Sequence, residues 1–125
     1  MLAIAYMAVV FPATVLAADC RAPSTQLDMN QCAKADDLEA ATAMRGTYEA
    51  VLGRSSPEQK KLLRVAQHTW EAYREANCLF SAFNAQGGSA FPMAQALCFT
   101  RMTEARNKEL AHILHCEEGD ISCSL

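Results

Sequence analysis

The cysteines are the feature that most constrains what this chain can fold into. All six follow an uncharged apolar segment, Met1 to Ala18, and the first of them, Cys20, stands just beyond its end. Disulfides form and persist in oxidising compartments, where small exported domains use them to supplement a limited hydrophobic core. An even number of cysteines that begins where an apolar leader stops predicts a disulfide-linked protein of the periplasm or the extracellular medium.

The apolar segment, residues 1–18, is predicted to be a cleaved signal peptide. Small residues around Ala17 suit a signal peptidase. An uncleaved anchor is the alternative, but eighteen residues interrupted by Pro12 barely span a hydrocarbon core of about 30 Å. A lipid anchor is disfavoured because Asp19 precedes Cys20, where a lipoprotein signal has a small residue. We therefore expect no stable membrane insertion once the leader is removed.

The remaining 107 residues are enough for one small domain and not for two. We expect a helical domain over residues 19–115 and a disulfide-closed tail over residues 116–125. The net charge of −3 argues against nucleic acid as a partner, because nucleic-acid binding favours a basic stripe. A mildly acidic surface would instead steer a basic protein partner towards this one.

Apolar residues that recur every three or four positions predict three helices. The first extends from about Gln26 to Leu52 and stops at Gly53, the second extends from Pro57 to about Phe83, and the third covers about 92–115. Gln86-Gly87-Gly88-Ser89 separates the last two. No alternating strand pattern occurs, and short connections favour antiparallel neighbours. The predicted class is all-α, a small disulfide-linked antiparallel three-helix bundle.

Both of the first two helices begin with a capping-box spacing, Thr25 with Asp28 and Ser56 with Gln59. The apolar positions predicted to face the core are Leu27, Leu38, Ala41, Met44, Tyr48, Val51 and Leu52 in the first helix, Leu62, Ala66, Thr69, Trp70, Tyr73, Ala76, Leu79, Phe80 and Phe83 in the second, and Leu97, Met102, Ala105, Leu110, Ile113 and Leu114 in the third.

The disulfide pairing is predicted from distances along the two hairpins. Cys32 and Cys78 lie almost equally far from the first turn, and Cys98 comes level with Cys78 across the second turn. The preferred pairing is Cys32–Cys78 with Cys20–Cys98. The exchange of partners, Cys20–Cys78 with Cys32–Cys98, remains open. The last two cysteines are expected to close a small C-terminal loop, Cys116–Cys123.

An ordered series of motifs resembles the LprI-type lysozyme inhibitor family, a bacterial family of exported helical proteins. The motifs are Met29-Asn30-Gln31-Cys32, the A-Q-x-x-W-x-x-Y-R-x-x-x-C helix from Ala66 to Cys78, Gly87-Gly88-Ser89, Cys98, and Arg106 with Leu110. The resemblance covers about Cys20 to Leu114. It implies a protein that binds and blocks lysozyme, which makes lysozyme the leading partner; another envelope protein is the alternative.

The family-motif side chains are interpreted first as structural. Gln67, Trp70, Arg74 and Arg106 are polar or aromatic residues at helical spacing, which more often indicates packing and internal clamping than contact with a partner.

Partner contact is instead predicted for an exposed turn. A lysozyme cleft contains two carboxylates, so a blocking segment needs hydrogen-bond donors or a cation. The candidate partner-binding loop is Gly87, Gly88 and Ser89, where glycines allow close backbone approach and the serine can donate. Arg54-Ser55 at the other turn is the second choice.

Enzymatic activity is not expected. His112, His115, Cys116 and Cys123 could form a zinc-like set, but a Cys116–Cys123 disulfide is the simpler interpretation in an oxidising compartment. His68 has no free cysteine to activate, and the consecutive acids Asp36-Asp37 and Glu117-Glu118 point in different directions. No cofactor and no metal are predicted. The alternative to a lysozyme inhibitor is a non-catalytic envelope protein-interaction module.

Overall fold

The computed structural model describes residues 18–117 and 119–125. The predicted signal peptide, except for Ala18, lies outside the described residues. Three helices account for most of the rest: α1 is Gln26–Arg54, α2 is Pro57–Ser81 and α3 is Phe91–Leu114, with a 3₁₀ turn at Phe83–Ala85. The described residues contain no strand, and the predicted all-α class is confirmed.

The first two helices begin as their capping residues predict. The Thr25 hydroxyl accepts from the backbone N–H of Asp28 at 3.0 Å, and the Asp28 carboxylate accepts from the backbone of Thr25 at 3.0 Å. Ser56 and Gln59 form the same reciprocal pair, with Pro57 in the first turn. Hydrogen bonds from Thr25 and then Ser24 lower the pKa of Asp28 below its usual value. The capping contribution of this carboxylate is therefore present at neutral pH and is lost as pH falls through the lowered pKa.

Contacts at both ends of the molecule fix the directions of the helices. The Arg54 guanidinium at the end of α1 donates to the carbonyl of Leu114 at the end of α3, 2.7 Å away. Near the other ends of these two helices, the Asn30 side chain donates to the carbonyl of Ser89 at 2.9 Å. α1 and α3 therefore run in the same direction and form the main helix pair, while α2 packs mainly on α3.

The hydrophobic core is small and lies towards the C-terminal ends of α1 and α3. Met44, Val51 and Leu110 form its buried centre, and Leu110 has no solvent exposure. Leu125 packs against this centre, so the C-terminal tail folds back onto the helices. Partly buried side chains complete the core: Tyr48, Leu63, Trp70, Ile113 and Leu114.

The predicted core faces are correct in part and wrong for most of α2. Most of the large residues of the predicted α2 stripe, from Leu62 to Phe83, are solvent-exposed. The inward face of α2 lies one residue further on and contains Leu63, Gln67, Trp70 and Cys78. Tertiary partners on α3 determine this rotation, as described below. Leu27 and Leu38 in α1 and Leu97 in α3 are also exposed, contrary to the prediction.

The predicted pairing of the first four cysteines is wrong in both of its versions. The disulfides are Cys20–Cys32 and Cys78–Cys98, with Cα atoms 5.5 and 5.6 Å apart. The prediction assumed that α1 and α2 lie side by side, but α1 packs along α3, so Cys32 does not meet Cys78.

Each of these two bonds instead joins two consecutive cysteines of the chain. Cys20 closes onto the first turns of α1, and Cys78 crosses the second hairpin to α3. The C-terminal pair Cys116–Cys123 forms as predicted.

The burial of α3 can be tested by two identical truncations on that helix. Leu110→Ala removes a fully buried side chain and should lower the free energy of unfolding by about 2–5 kcal/mol. Leu97→Ala, at an exposed position, should cost less than about 1 kcal/mol. Urea unfolding followed by circular dichroism gives both values. Equal losses would contradict the burial of Leu110 and the exposure of Leu97 in α3.

Candidate functional site

Two regions contain the residues that the sequence singled out: a polar cluster between α2 and α3, and the turn that joins these helices. In the polar cluster, the Gln67 side chain is buried and links all three helices. Its carbonyl oxygen accepts from Arg106 Nε at 3.2 Å, and its amide nitrogen lies 3.3 Å from Met44 Sδ. Arg106 also pairs with Glu109 at 2.9 Å. Gln67 and Arg106 therefore clamp α2 to α3 beside the core.

Arg74 is the second link between the same helices. Its Nη1 donates to the hydroxyl of Thr103, which is fully buried, at 3.0 Å. The guanidinium lies 5.4 Å from the ring centre of Trp70 and 4.8 Å from that of Phe99, within the range of cation–π attraction. Its Nη2 pairs with Glu75 at 3.1 Å. The four family-motif residues thus form two sets of internal contacts, Gln67 with Arg106 and Trp70 with Arg74, which together we call the polar network.

An open groove of about 550 Å³ lies between α1 and α2, beside this network. Tyr48 and Trp70 line it together with both acidic and basic side chains, among them Glu71 and Arg45. Mixed charge of this kind selects neither an anion nor a cation. The groove exists because α1 packs on α3 and leaves α2 at a distance.

The turn between α2 and α3 contains the predicted partner-binding loop, and all three of its residues are exposed. Gly87 has a φ of +81°, a left-handed conformation that a side chain would strain. The N–H of Gly88 donates to the carbonyl of Ala85 at 3.0 Å, and the N–H of Phe91 donates to the carbonyl of Gly88 at 3.2 Å. These bonds give the loop a defined shape.

Three donors of the loop point to no partner within the part of the chain that the structure describes. They are the backbone N–H groups of Gly87 and Ser89 and the hydroxyl of Ser89. The carbonyl of Ser89, by contrast, accepts from Asn30 on α1 at 2.9 Å. Asn30 therefore anchors the loop through the carbonyl of Ser89, and the three donors remain exposed to solvent.

Asn30 is the positioning residue that the sequence reasoning did not assign. It belongs to the Met29-Asn30-Gln31-Cys32 motif, which was noted only as part of the family resemblance. The structure shows that this motif and Gly87-Gly88-Ser89 are in contact, 59 residues apart in sequence. Both motifs belong to the series that resembles the family, and this was the sequence signal that could have suggested their contact.

The second-choice turn, Arg54-Ser55, is already engaged internally. Arg54 donates to Leu114, and the buried Ser55 hydroxyl donates to the carbonyl of Val51 at 2.7 Å. Its side chains are therefore poorly placed to contact a partner.

The C-terminal residues considered as a zinc set do not come together as one. Cys116 is bonded to Cys123, so neither sulfur is a thiolate. His112 and His115 are exposed near the end of α3. Within residues 18–117 and 119–125, no group of three His, Cys, Asp or Glu side chains has the proximity needed to hold a metal ion.

The Arg74–Thr103 hydrogen bond can be tested with two matched substitutions on α3. Thr103→Val removes the buried acceptor of a charged donor and should lower the free energy of unfolding by about 1.5–3 kcal/mol. Thr100→Val removes a hydroxyl that bonds only within its own helix and should cost less than about 1 kcal/mol. Thermal or urea unfolding measures both. A Thr103 variant as stable as the Thr100 variant would show that this bond does not hold α2.

Comparison with known proteins identifies the family of this sequence. The model of the family described as "Lysozyme inhibitor LprI" matches residues 17–110, which include both regions. An uncharacterized protein of Rhizobium meliloti (strain 1021) is 31% identical over 114 residues, covering 81% of this chain and 82% of the relative. No solved structure matches. In the part of the chain that the structure describes, no helix has the length and hydropathy of a membrane span. The chain belongs to the LprI lysozyme inhibitor family.

Proposed function

We propose that this protein binds lysozyme and blocks its active-site cleft with the turn between α2 and α3, acting by binding and not by catalysis. Family membership supports the partner. Its three disulfides are typical of proteins outside the cytoplasm, where a lysozyme meets its substrate. Removal of residues 1–18 as a signal peptide would deliver the protein to the periplasm or the medium.

The observation that carries the proposal is the set of three unpaired donors at Gly87 and Ser89. Glycoside hydrolases of the lysozyme type act with two carboxyl groups on either side of the scissile bond. Hydrogen bonds to an ionised carboxylate are about twice as strong as those between neutral groups. A loop that offers three donors can complement such a cleft.

The stretch of sequence that contains the loop has no charged residue. From Ala76 to Thr100 the sequence contains no Asp, Glu, Lys or Arg, and α2, the turn and α3 all contribute to this stretch. No acid of this stretch would therefore repel the carboxylates of the enzyme. Burying the stretch also costs no desolvation of an ionised side chain.

Phe83 gives the turn an apolar anchor. Its side chain is exposed at the first residue of the 3₁₀ turn, four residues before Gly87. Buried aromatic residues beside a few directed hydrogen bonds are the usual centre of a tight protein interface. Phe83 and the donors of the loop together form the proposed contact surface.

The loop is stiffened before it meets a partner. Cys78–Cys98 joins the two helices that flank it, and Asn30 fixes the carbonyl of Ser89. A segment that is already ordered loses less conformational entropy on binding, which raises affinity. This is the role that we assign to the Met29-Asn30-Gln31-Cys32 motif.

The direct test is inhibition of lysozyme by the mature, oxidised protein. We expect a dose-dependent slowing of peptidoglycan clearing. Ser89→Glu removes a donor and places a carboxylate against the acidic cleft, so the inhibition constant should rise at least about tenfold.

Thr42→Glu is the matched control for the loop variant. It exchanges an exposed hydroxyl for the same charge in α1, and inhibition should stay within about twofold of that of the unaltered protein. If the unaltered protein at tens of micromolar does not slow clearing by any lysozyme class tried, the proposed function is wrong. If both variants inhibit equally well, the loop is not the contact.

A further inference from the structure

The outer face of α2 has an apolar stripe that the described part of the molecule leaves uncovered. We call it the outer stripe: Leu62, Ala66, Thr69, Tyr73, Ala76 and Phe80. All six side chains are exposed, and the exposed fraction reaches 72% for Leu62, 60% for Tyr73 and 82% for Phe80. No charged residue belongs to it.

The spacing of the outer stripe specifies the shape of what covers it. Its intervals are four, three, four, three and four residues, a repeat of 3.5 residues per turn. That repeat is the one by which two helices pack along each other in a coiled coil. The stripe is roughly 27 Å long at 1.5 Å per residue, so the occupant must present a helix of similar length.

We propose that the occupant is a second copy of this chain, with the two α2 helices packed antiparallel about a two-fold axis near residue 71. The intervals of the outer stripe are the same read from either end, so the stripe fits itself when reversed. Such a pair is isologous, with the same patch on both subunits.

The antiparallel register pairs residues whose sizes complement each other. Leu62 packs on Phe80 of the partner subunit, Thr69 on Tyr73 of the partner subunit, and Ala66 on Ala76 of the partner subunit. Small residues meet small residues, which lets the two helices approach closely at these two layers.

Charge also favours the antiparallel direction. A parallel pair would set Lys61 and Glu75 each against its own copy, and like charges placed together weaken an interface. In the antiparallel pair neither residue meets its own copy: Glu75 lies level with Gln67 of the partner subunit and Lys61 lies level with Ser81 of the partner subunit, both uncharged.

The exposed apolar area of α2 approaches that of a small specific interface. Tyr73 and Phe80 together expose on the order of 250 Å² per subunit, or about 500 Å² for the pair of subunits. Exposed neighbours extend the apolar surface on one side of the stripe, namely Val65, Ala72 and Leu79. With the rest of the stripe they bring the total towards the lower limit of the roughly 1,200–2,000 Å² range of specific interfaces.

The dimer does not depend on lysozyme binding. Gly87 to Ser89 lie past the 3₁₀ turn, seven to nine residues beyond the last residue of the outer stripe, so the donors of the loop stay free in the dimer. One assembly would then present two such loops, at opposite ends of the paired helices.

Analytical ultracentrifugation of the mature protein tests the proposal. We expect the unaltered protein to be a dimer at about 100 µM. The double variant Leu62→Glu/Phe80→Glu should raise the dissociation constant of the dimer at least about a hundredfold. Leu27→Glu/Leu38→Glu changes two exposed apolar residues of α1 and should remain dimeric. Circular dichroism checks that both variants keep their helices. A monomeric unaltered protein at this concentration, or a dimer that survives the stripe variant, overturns the proposal.

Engineered cysteines test the register. Ala66 and Ala76 lie opposite each other in the antiparallel register, so the double variant Ala66→Cys/Ala76→Cys should form a covalent dimer under mild oxidation, whereas Ala66→Cys alone should not. A covalent dimer of the single variant would indicate a parallel pair and overturn the register. If the unaltered protein is monomeric and Leu62→Glu abolishes lysozyme inhibition, the stripe belongs to the lysozyme contact, which also overturns the proposal.

Discussion

The rotation of α2 about its own axis is fixed by directed bonds to α3, and the rest of the structure depends on it. Gln67, Arg74 and Cys78 share one face of α2, and each has its partner on α3. Apolar burial is non-directional and scales with area. A disulfide and a charged hydrogen bond, by contrast, require particular partners. Where the two preferences conflict in this helix, the directed bonds prevail, and an apolar stripe is left facing outwards.

The same constraint connects the two surfaces proposed for binding. The bond between Cys78 and Cys98 sets the end of the α2–α3 hairpin, and Asn30 then holds the turn against α1. The turn is therefore ordered and offers donors, while the side of the hairpin offers apolar area. One surface suits a polar cleft and the other suits a helix. Both surfaces follow from the orientation in which α2 packs on α3, and neither needs a reactive centre.

The features that could be predicted from the sequence are those encoded locally. The all-α class, the two capping boxes and the Cys116–Cys123 loop all depend on residues within a few positions of each other. The helix bounds were predicted to within a few residues for the same reason. The turn at Gly87-Gly88-Ser89 was also identifiable, because two consecutive glycines after an apolar helical pattern commonly end a helix.

The remaining features depend on which helices adjoin, and spacing along one chain does not determine that. Two stripes of α2 have the same intervals and differ by one residue, beginning at Leu62 and at Leu63. Hydrophobicity favours the first, yet tertiary partners bury the second. The disulfide prediction failed likewise, because it assumed that consecutive helices pack most closely.

Disulfide mapping of the native protein tests the setting of α2 most directly. Digestion without reduction, followed by mass spectrometry, should release one peptide pair joined through Cys78 and Cys98 and another joined through Cys20 and Cys32. The linkage of Cys78 to Cys98 requires α2 to turn its polar face towards α3. A linkage from Cys78 to Cys32 or to Cys20 would place that face against α1 or the N-terminal arm and would contradict the account.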